Sequence, residues 1–214
     1  MPTSQPRTLT RVHSVVQLLQ PRSIIDIGVG HGKSGVLLRD YLDVMEQRYN
    51  RKDWSIKIYG IEGFPEYHNA LWDYAYDSVV TRDALEGLQE LPSVDLILAL
   101  DVWEHFEPSY AAKMLEACLR KARYLLLSTP KDPPDQHDVF GNSYERHISK
   151  WSPGDFLKIP HRLVTCTPDD WIILLSSREH IPNSVRQLGS PIYYLSEGLQ
   201  VALSLWSQMI RLRG

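Results

Sequence analysis

Apolar residues recur at helical spacing first at Leu9, Val12, Val15, Val16 and Leu19, which predicts an amphipathic helix within residues 1–20. A short unbroken apolar run at 23–27 follows and stops in glycines. Leu37, Leu38, Tyr41, Leu42, Met45 and Tyr49 mark a second, long helix. Strands are predicted at 55–61 and 78–81, with a helix over about 65–74 between them. The run Val94-Asp95-Leu96-Ile97-Leu98-Ala99-Leu100 is apolar on both faces, as suits a central parallel strand covered on both sides. A helix carrying Ala111, Leu115, Cys118 and Leu119 on one face precedes a fifth strand at 124–127. Strands that alternate with helices in this way predict a doubly wound, mostly parallel α/β sheet.

Two regions depart from the alternation. Residues 130–150 have no clear periodicity and hold three prolines, which predicts a lid-like loop. After a short helix near 153–157, β-like runs at 162–166 and 171–176 are joined by Thr167-Pro168-Asp169-Asp170. That turn is too short for a helical crossover, so the two runs should form an antiparallel last hairpin and bring the sheet to seven strands. A final helical stretch, about 194–212 within the segment 183–214, has a wide apolar face. Packing against the domain or against a second copy in a homodimer fits such a face, with shallow membrane contact as the weaker reading.

Composition narrows the setting. The 214 residues, 43% hydrophobic and 23% charged, suit one globular domain over 1–214. A formal net charge of -3 argues against a nucleic-acid partner, whose affinity would come from basic patches. Cys118 and Cys166 lack metal-ligand spacing and read as buried thiols. The first residues lack the apolar stretch of a secretory signal, and no run approaches the roughly 20 apolar residues of a membrane span. A cytoplasmic location without a transmembrane segment is the expectation.

Ligands of open α/β sheets bind outside the carboxyl ends of the strands. There the first strand ends in Asp26-Ile27-Gly28-Val29-Gly30-His31-Gly32, the second in Glu62-Gly63, the third near Asp83-Ala84 and the fourth at Asp101-Val102. Gly28 and Gly30 let the backbone turn sharply and approach a ligand. Glu62 is placed to accept from a ribose diol. Asp83 can accept from the exocyclic amine of adenine, and Asp26 and Asp101 supply negative charge near a cation.

These segments resemble class I S-adenosylmethionine-dependent methyltransferases. DIGVGHG is similar to the family's first motif, YGIEG to its second, RDALE to its adenine-contacting motif, and VDLILALDVWEHF to its fourth. The resemblance covers about 23–130, and the hairpin at 162–176 matches the family's last two strands. It implies a Rossmann-like methyltransferase fold, S-adenosylmethionine (SAM) as cofactor, and cofactor contacts from Asp26, Gly28, Gly30, Gly32, Glu62, Gly63, Asp83, Ala84, Asp101 and Val102.

Three rivals remain. Gly30-His31-Gly32-Lys33-Ser34 ends like a phosphate-binding Walker loop, but only three residues separate Gly28 from the Gly-Lys pair, where that loop needs four. A nicotinamide fingerprint would need glycine at the position of Lys33. A non-catalytic SAM-binding protein shares every cofactor motif.

For chemistry, His105 follows the fourth strand and is the candidate general base, against helix capping as the plainer role. His147, in the loop beside Tyr144, Glu145 and Arg146, is the second catalytic candidate. Asp101, Glu104, His105 and a loop histidine also make an oxygen-and-imidazole set of the kind that binds divalent metal, and the segment resembles one in some RNA-end and quinone-pathway methyltransferases. Such segments are widespread without metal, so none is assigned. The short N-terminal extension points to a small, amphipathic acceptor, met by residues 130–150 and the C-terminal helix.

Overall fold

The computed structural model describes residues 4–189. The chain enters through helix α1 (Pro6–Leu19), with proline in its first turn, and closes it at Gln20 in the left-handed region. Seven strands follow: β1 (Ser23–Ile27), β2 (Lys57–Glu62), β3 (Ser78–Thr81), β4 (Val94–Leu100), β5 (Ala122–Pro130), β6 (His161–Cys166) and β7 (Asp170–Ser176). They form one sheet in the order β3-β2-β1-β4-β5-β7-β6. β1 to β5 pair parallel, and β7 runs antiparallel to both β5 and β6. The strand order reverses beside β1, so the ends of β1 and β4 flank the crevice where such sheets take ligands.

The unbroken apolar strands reflect two covered faces. Leu96 and Leu98 of β4 join a core with Val12, Leu38, Trp72 and Tyr76, whereas Ile97 and Ala99 join the opposite core with Trp103, Met114 and Phe156. Helices α2 (Lys33–Arg39), α3 (Ala70–Ala75), α4 (Ala84–Glu90) and α5 (Pro108–Lys121) make the crossovers, and a short α6 (Asn183–Arg186) follows β7.

Several local expectations are corrected. The helix expected to run to Tyr49 is α-helical only to Arg39, continues as a π turn over Asp40–Val44, and then ends. The cause is electrostatic. Asp43 is fully buried and accepts from Arg39 (3.0 Å), Arg48 (2.8 Å) and the Ser55 amide (2.9 Å), while buried Arg39 also reaches Asp77 (2.7 Å) and lies over the Trp54 ring. Breaking such a buried network costs more than a straight helix gains. Met45 and Tyr49 are consequently exposed. The helix expected over 65–74 is a 3-10 turn (Pro65–Tyr67) followed by α3, whose first turn is capped by Asn69 accepting from the Leu71 amide at 2.8 Å. α4 has no counterpart among the expected elements. Cys118 is buried as expected, its thiol pushed up to about 12 by burial, but Cys166 is only half-buried. The C-terminal helical stretch expected at 194–212 lies outside the described residues.

Candidate functional site

A cavity of about 330 Å³ opens at the carboxyl ends of β1 to β4. Asp26, Gly28, Gly30, Glu62, Gly63, Asp83, Ala84, Asp101, Val102 and His105 all line it. Gly32 and His147 do not. Gly32 starts α2, and a Cβ there would stand 3.1 Å from the Trp72 ring.

β1 leaves the sheet at Gly28, whose φ of +77° favours glycine. Close packing demands it as well, because a Cβ at 28 would stand 2.6 Å from the Val102 side chain. The Gly28 amide donates to the Ile61 carbonyl (2.9 Å), which ties the loop to β2. Glu62 completes the turn: one carboxylate oxygen accepts from the Gly30 amide (2.8 Å) and the other from the Phe64 amide (2.9 Å). Burial raises the Glu62 pKa, and these backbone donors oppose the rise.

Asp26 is 2% exposed and accepts from the Tyr76 hydroxyl at 2.5 Å. That hydroxyl accepts in turn from the Gly35 amide at 3.1 Å. Burial lifts Asp26 from 3.8 to about 7, with the Tyr76 hydrogen bond opposing and Glu62 adding to the rise. Folding therefore favours protonated Asp26, so its contribution to stability is fully present below about pH 4 and is lost as pH rises through about 7. Asp26→Asn should flatten the melting-temperature profile across that window. A profile as steep as wild type would remove Asp26 as its source.

At the third strand end, one oxygen of Asp83 caps α4 through the Leu85 amide (3.0 Å) and accepts from Tyr110 (2.5 Å). Asp101 ends β4 with φ +53°, a left-handed conformation unusual outside glycine. It is held by Ser128, whose hydroxyl donates to the Asp101 carboxylate (2.7 Å) and accepts from its amide (3.1 Å). The conformation turns the chain into the 3-10 turn Trp103–His105. Glu104 is 1% exposed, accepts from Thr129 at 3.0 Å, and is pushed up to about 8 by burial and then by Asp101. Burial lowers the His105 pKa.

The loop 130–150 folds back over this end of the sheet. His105 Nδ1 lies 2.8 Å from the Arg146 carbonyl, and His147 Nδ1 lies 2.7 Å from the Pro134 carbonyl. The two imidazole centroids are 5.0 Å apart. Glu104, His105 and His147 each offer one ligand atom within 4.8 Å of the others; Asp101 is not in this set. Sequence reasoning missed Tyr76, Tyr110 and Tyr67, the last of which donates to Glu145 at 2.9 Å. Each reaches its carboxylate from a different segment, and no local spacing signals that.

A family model described as a methyltransferase domain matches residues 6–163. The chain belongs to this methyltransferase family. No curated protein sequence matches it. Among solved structures the methyltransferase is similar to a SAM-dependent methyltransferase from Archaeoglobus fulgidus, at 15% identity and TM-score 0.56 over 81% of this chain and 94% of that one. It is also similar to a methyltransferase from Geobacter sulfurreducens, at 12% identity and TM-score 0.55 over 83% and 82% of the two chains. Magnesium protoporphyrin IX methyltransferase from Synechocystis PCC 6803, solved with bound SAM, matches at 19% identity and TM-score 0.53 over 79% and 80%. At such identities the likeness is one of fold. Family membership makes the chain a SAM-dependent methyltransferase. The donor set suits that cofactor, because carboxylates at successive strand ends face one cavity together with the glycine loop at Gly28 and Gly30. No helix among the described residues is long and apolar enough to cross a membrane.

Proposed function

We propose that this methyltransferase acts on a small, amphipathic acceptor seated beside His105. The observation that carries the reading is one cavity lined both by the strand-end carboxylates and by apolar Leu9, Phe106 and Ile148. In this reading Glu62 accepts from the ribose hydroxyls, Asp83 accepts from the adenine amine through its other oxygen, and Gly28, Gly30 and Gly63 present backbone. Ala84 and Val102 wall the nucleobase, and Gly32 holds the loop in shape. Asp101 places negative charge near the amino and sulfonium groups, and Asp26 adds its own charge once the bound cation draws off its proton. When bound, SAM supplies an activated methyl group, so positioning does most of the work.

The proton is the protein's remaining task. His105 donates its Nδ1 proton to the Arg146 carbonyl, which leaves the Nε2 lone pair to take the acceptor's proton. His147 stands behind it, its own Nδ1 held by the Pro134 carbonyl. Labelled SAM incubated with a metabolite extract should transfer label to a small-molecule fraction. Binding of SAM without transfer to any fraction would instead make the chain a non-catalytic SAM-binding protein.

A second reading takes Glu104, His105 and His147 as metal ligands. Both imidazoles are oriented by backbone carbonyls and the carboxylate by Thr129, the outer-shell arrangement usual around bound metals. Dialysis against EDTA separates the two. Activity that survives it supports the base alone, and loss reversed by a divalent cation supports the ligand set.

A further inference from the structure

Residues 142–149 cross the cavity from one side to the other. On the β2 side, the Tyr67 hydroxyl donates to Glu145 at 2.9 Å. On the β4 side, the Glu104 carbonyl accepts from the Ile148 and Ser149 amides at 2.9 and 3.1 Å, and His105 bonds to the Arg146 carbonyl. β1 lies between β2 and β4 in the sheet. A segment fastened at both of those strand ends therefore passes across the end of β1, where the glycine loop begins, and spans roughly 10 Å, two strand spacings.

The middle of this strap carries an aromatic ring. Asn142, 1% exposed, accepts from the Tyr144 amide at 2.9 Å and starts the 3-10 turn Ser143–Glu145. The Tyr144 ring lies against the backbone of Gly63, where a Cβ would come within 2.9 Å of Cε2 and 3.0 Å of Cζ. Only glycine at 63 lets the ring settle there. Tyr144 is nevertheless 52% exposed, and it lines the cavity together with Gly63, Asp83 and Ala84. One part of the ring is seated on the residue after Glu62, and the rest stays open.

We propose that Tyr144 supplies the aromatic wall on which the adenine of SAM stacks, in place of the side chain that Gly63 lacks, and that the Tyr67–Glu145 hydrogen bond latches this strap over the bound cofactor. The proposal rests on the cofactor site as assigned above. It extends that site to a segment of the chain far from the glycine loop in sequence. A stacked base gains from any aromatic face, so the ring matters here and its hydroxyl does not.

Calorimetry and stopped-flow binding of S-adenosylhomocysteine and of adenosine to the full chain test it without any acceptor. Tyr144→Ala should weaken both ligands roughly ten- to a hundredfold, in the same proportion, and Tyr144→Phe should bind as wild type. Tyr67→Phe should speed association and dissociation together, because the latch opens while the wall remains. If Tyr144→Ala binds both ligands normally while Glu62→Ala does not, the cofactor site stands and the wall is overturned. Equal loss in Tyr144→Ala and Tyr144→Phe overturns stacking, and unchanged rates in Tyr67→Phe overturn the latch.

Discussion

His105→Ala should lower kcat by about 10²–10⁴-fold, the usual weight of a positioned general base, and leave SAM affinity nearly unchanged. The two effects separate because His105 meets the cavity beyond the strand-end carboxylates, and the strap it touches at Arg146 stays fastened by the Ile148 and Ser149 amides on the Glu104 carbonyl and by Tyr67 on Glu145. A truncated side chain removes the proton acceptor without disturbing Glu62, Asp26 or the glycine loop. Single-turnover measurement of labelled methyl transfer, with SAM binding followed by calorimetry on the same preparation, reads both quantities. A parallel loss of binding and rate would mean that His105 shapes the site and is not its base. His105→Asn, which keeps a donor for the Arg146 carbonyl, should be as slow as alanine if proton removal is the role.

Glu62→Gln should weaken SAM binding almost as severely as Glu62→Ala, by roughly one to three orders of magnitude. Both oxygens of Glu62 accept backbone amides, from Gly30 on one side and Phe64 on the other. An amide side chain can match only one of them and must turn its own N–H toward the other. The conservative change therefore leaves a buried donor facing a donor, and it also gives up the charge. The ribose would lose its acceptor at the same moment that the glycine loop loses its anchor. Melting temperature and SAM affinity measured together check this. A glutamine variant that binds normally would remove Glu62 from the cofactor site, whereas a lower melting temperature with retained affinity would restrict it to bracing the loop.

The strand ends were readable because a parallel sheet brings together what its apolar runs leave at their carboxyl ends. Glu62 and Asp101 stand at the ends of such runs and Asp83 two residues beyond one, so locating three strands located three carboxylates on one cavity. The antiparallel β7 was readable from the shortness of the turn before it. The partners of these carboxylates were not. Tyr76 reaches Asp26 across 50 positions and Tyr67 reaches Glu145 across 78, distances at which one sequence carries no periodic signal. The π turn was hidden for a different reason. Leu42 keeps the helical repeat, and the buried Asp43–Arg39 pair, joined by half-buried Arg48, ends the helix after it. α4 is seven residues long with Gly87 inside it, too brief for a repeat to show.

The two sides of the cavity are held in different ways. Asp26 and Glu62 belong to strands locked into the sheet on both sides, but Leu9 comes from α1 and Ile148 from a strap fastened by a few hydrogen bonds. Change can therefore proceed at different speeds on the two sides. In the proposed reading, substitutions at 9 or 148 would alter the shape offered to an acceptor while leaving the sheet and its carboxylates intact. Descendants of such a chain would keep one methyl donor and exchange the molecules that receive it, and an engineer redirecting the enzyme would begin at those two positions.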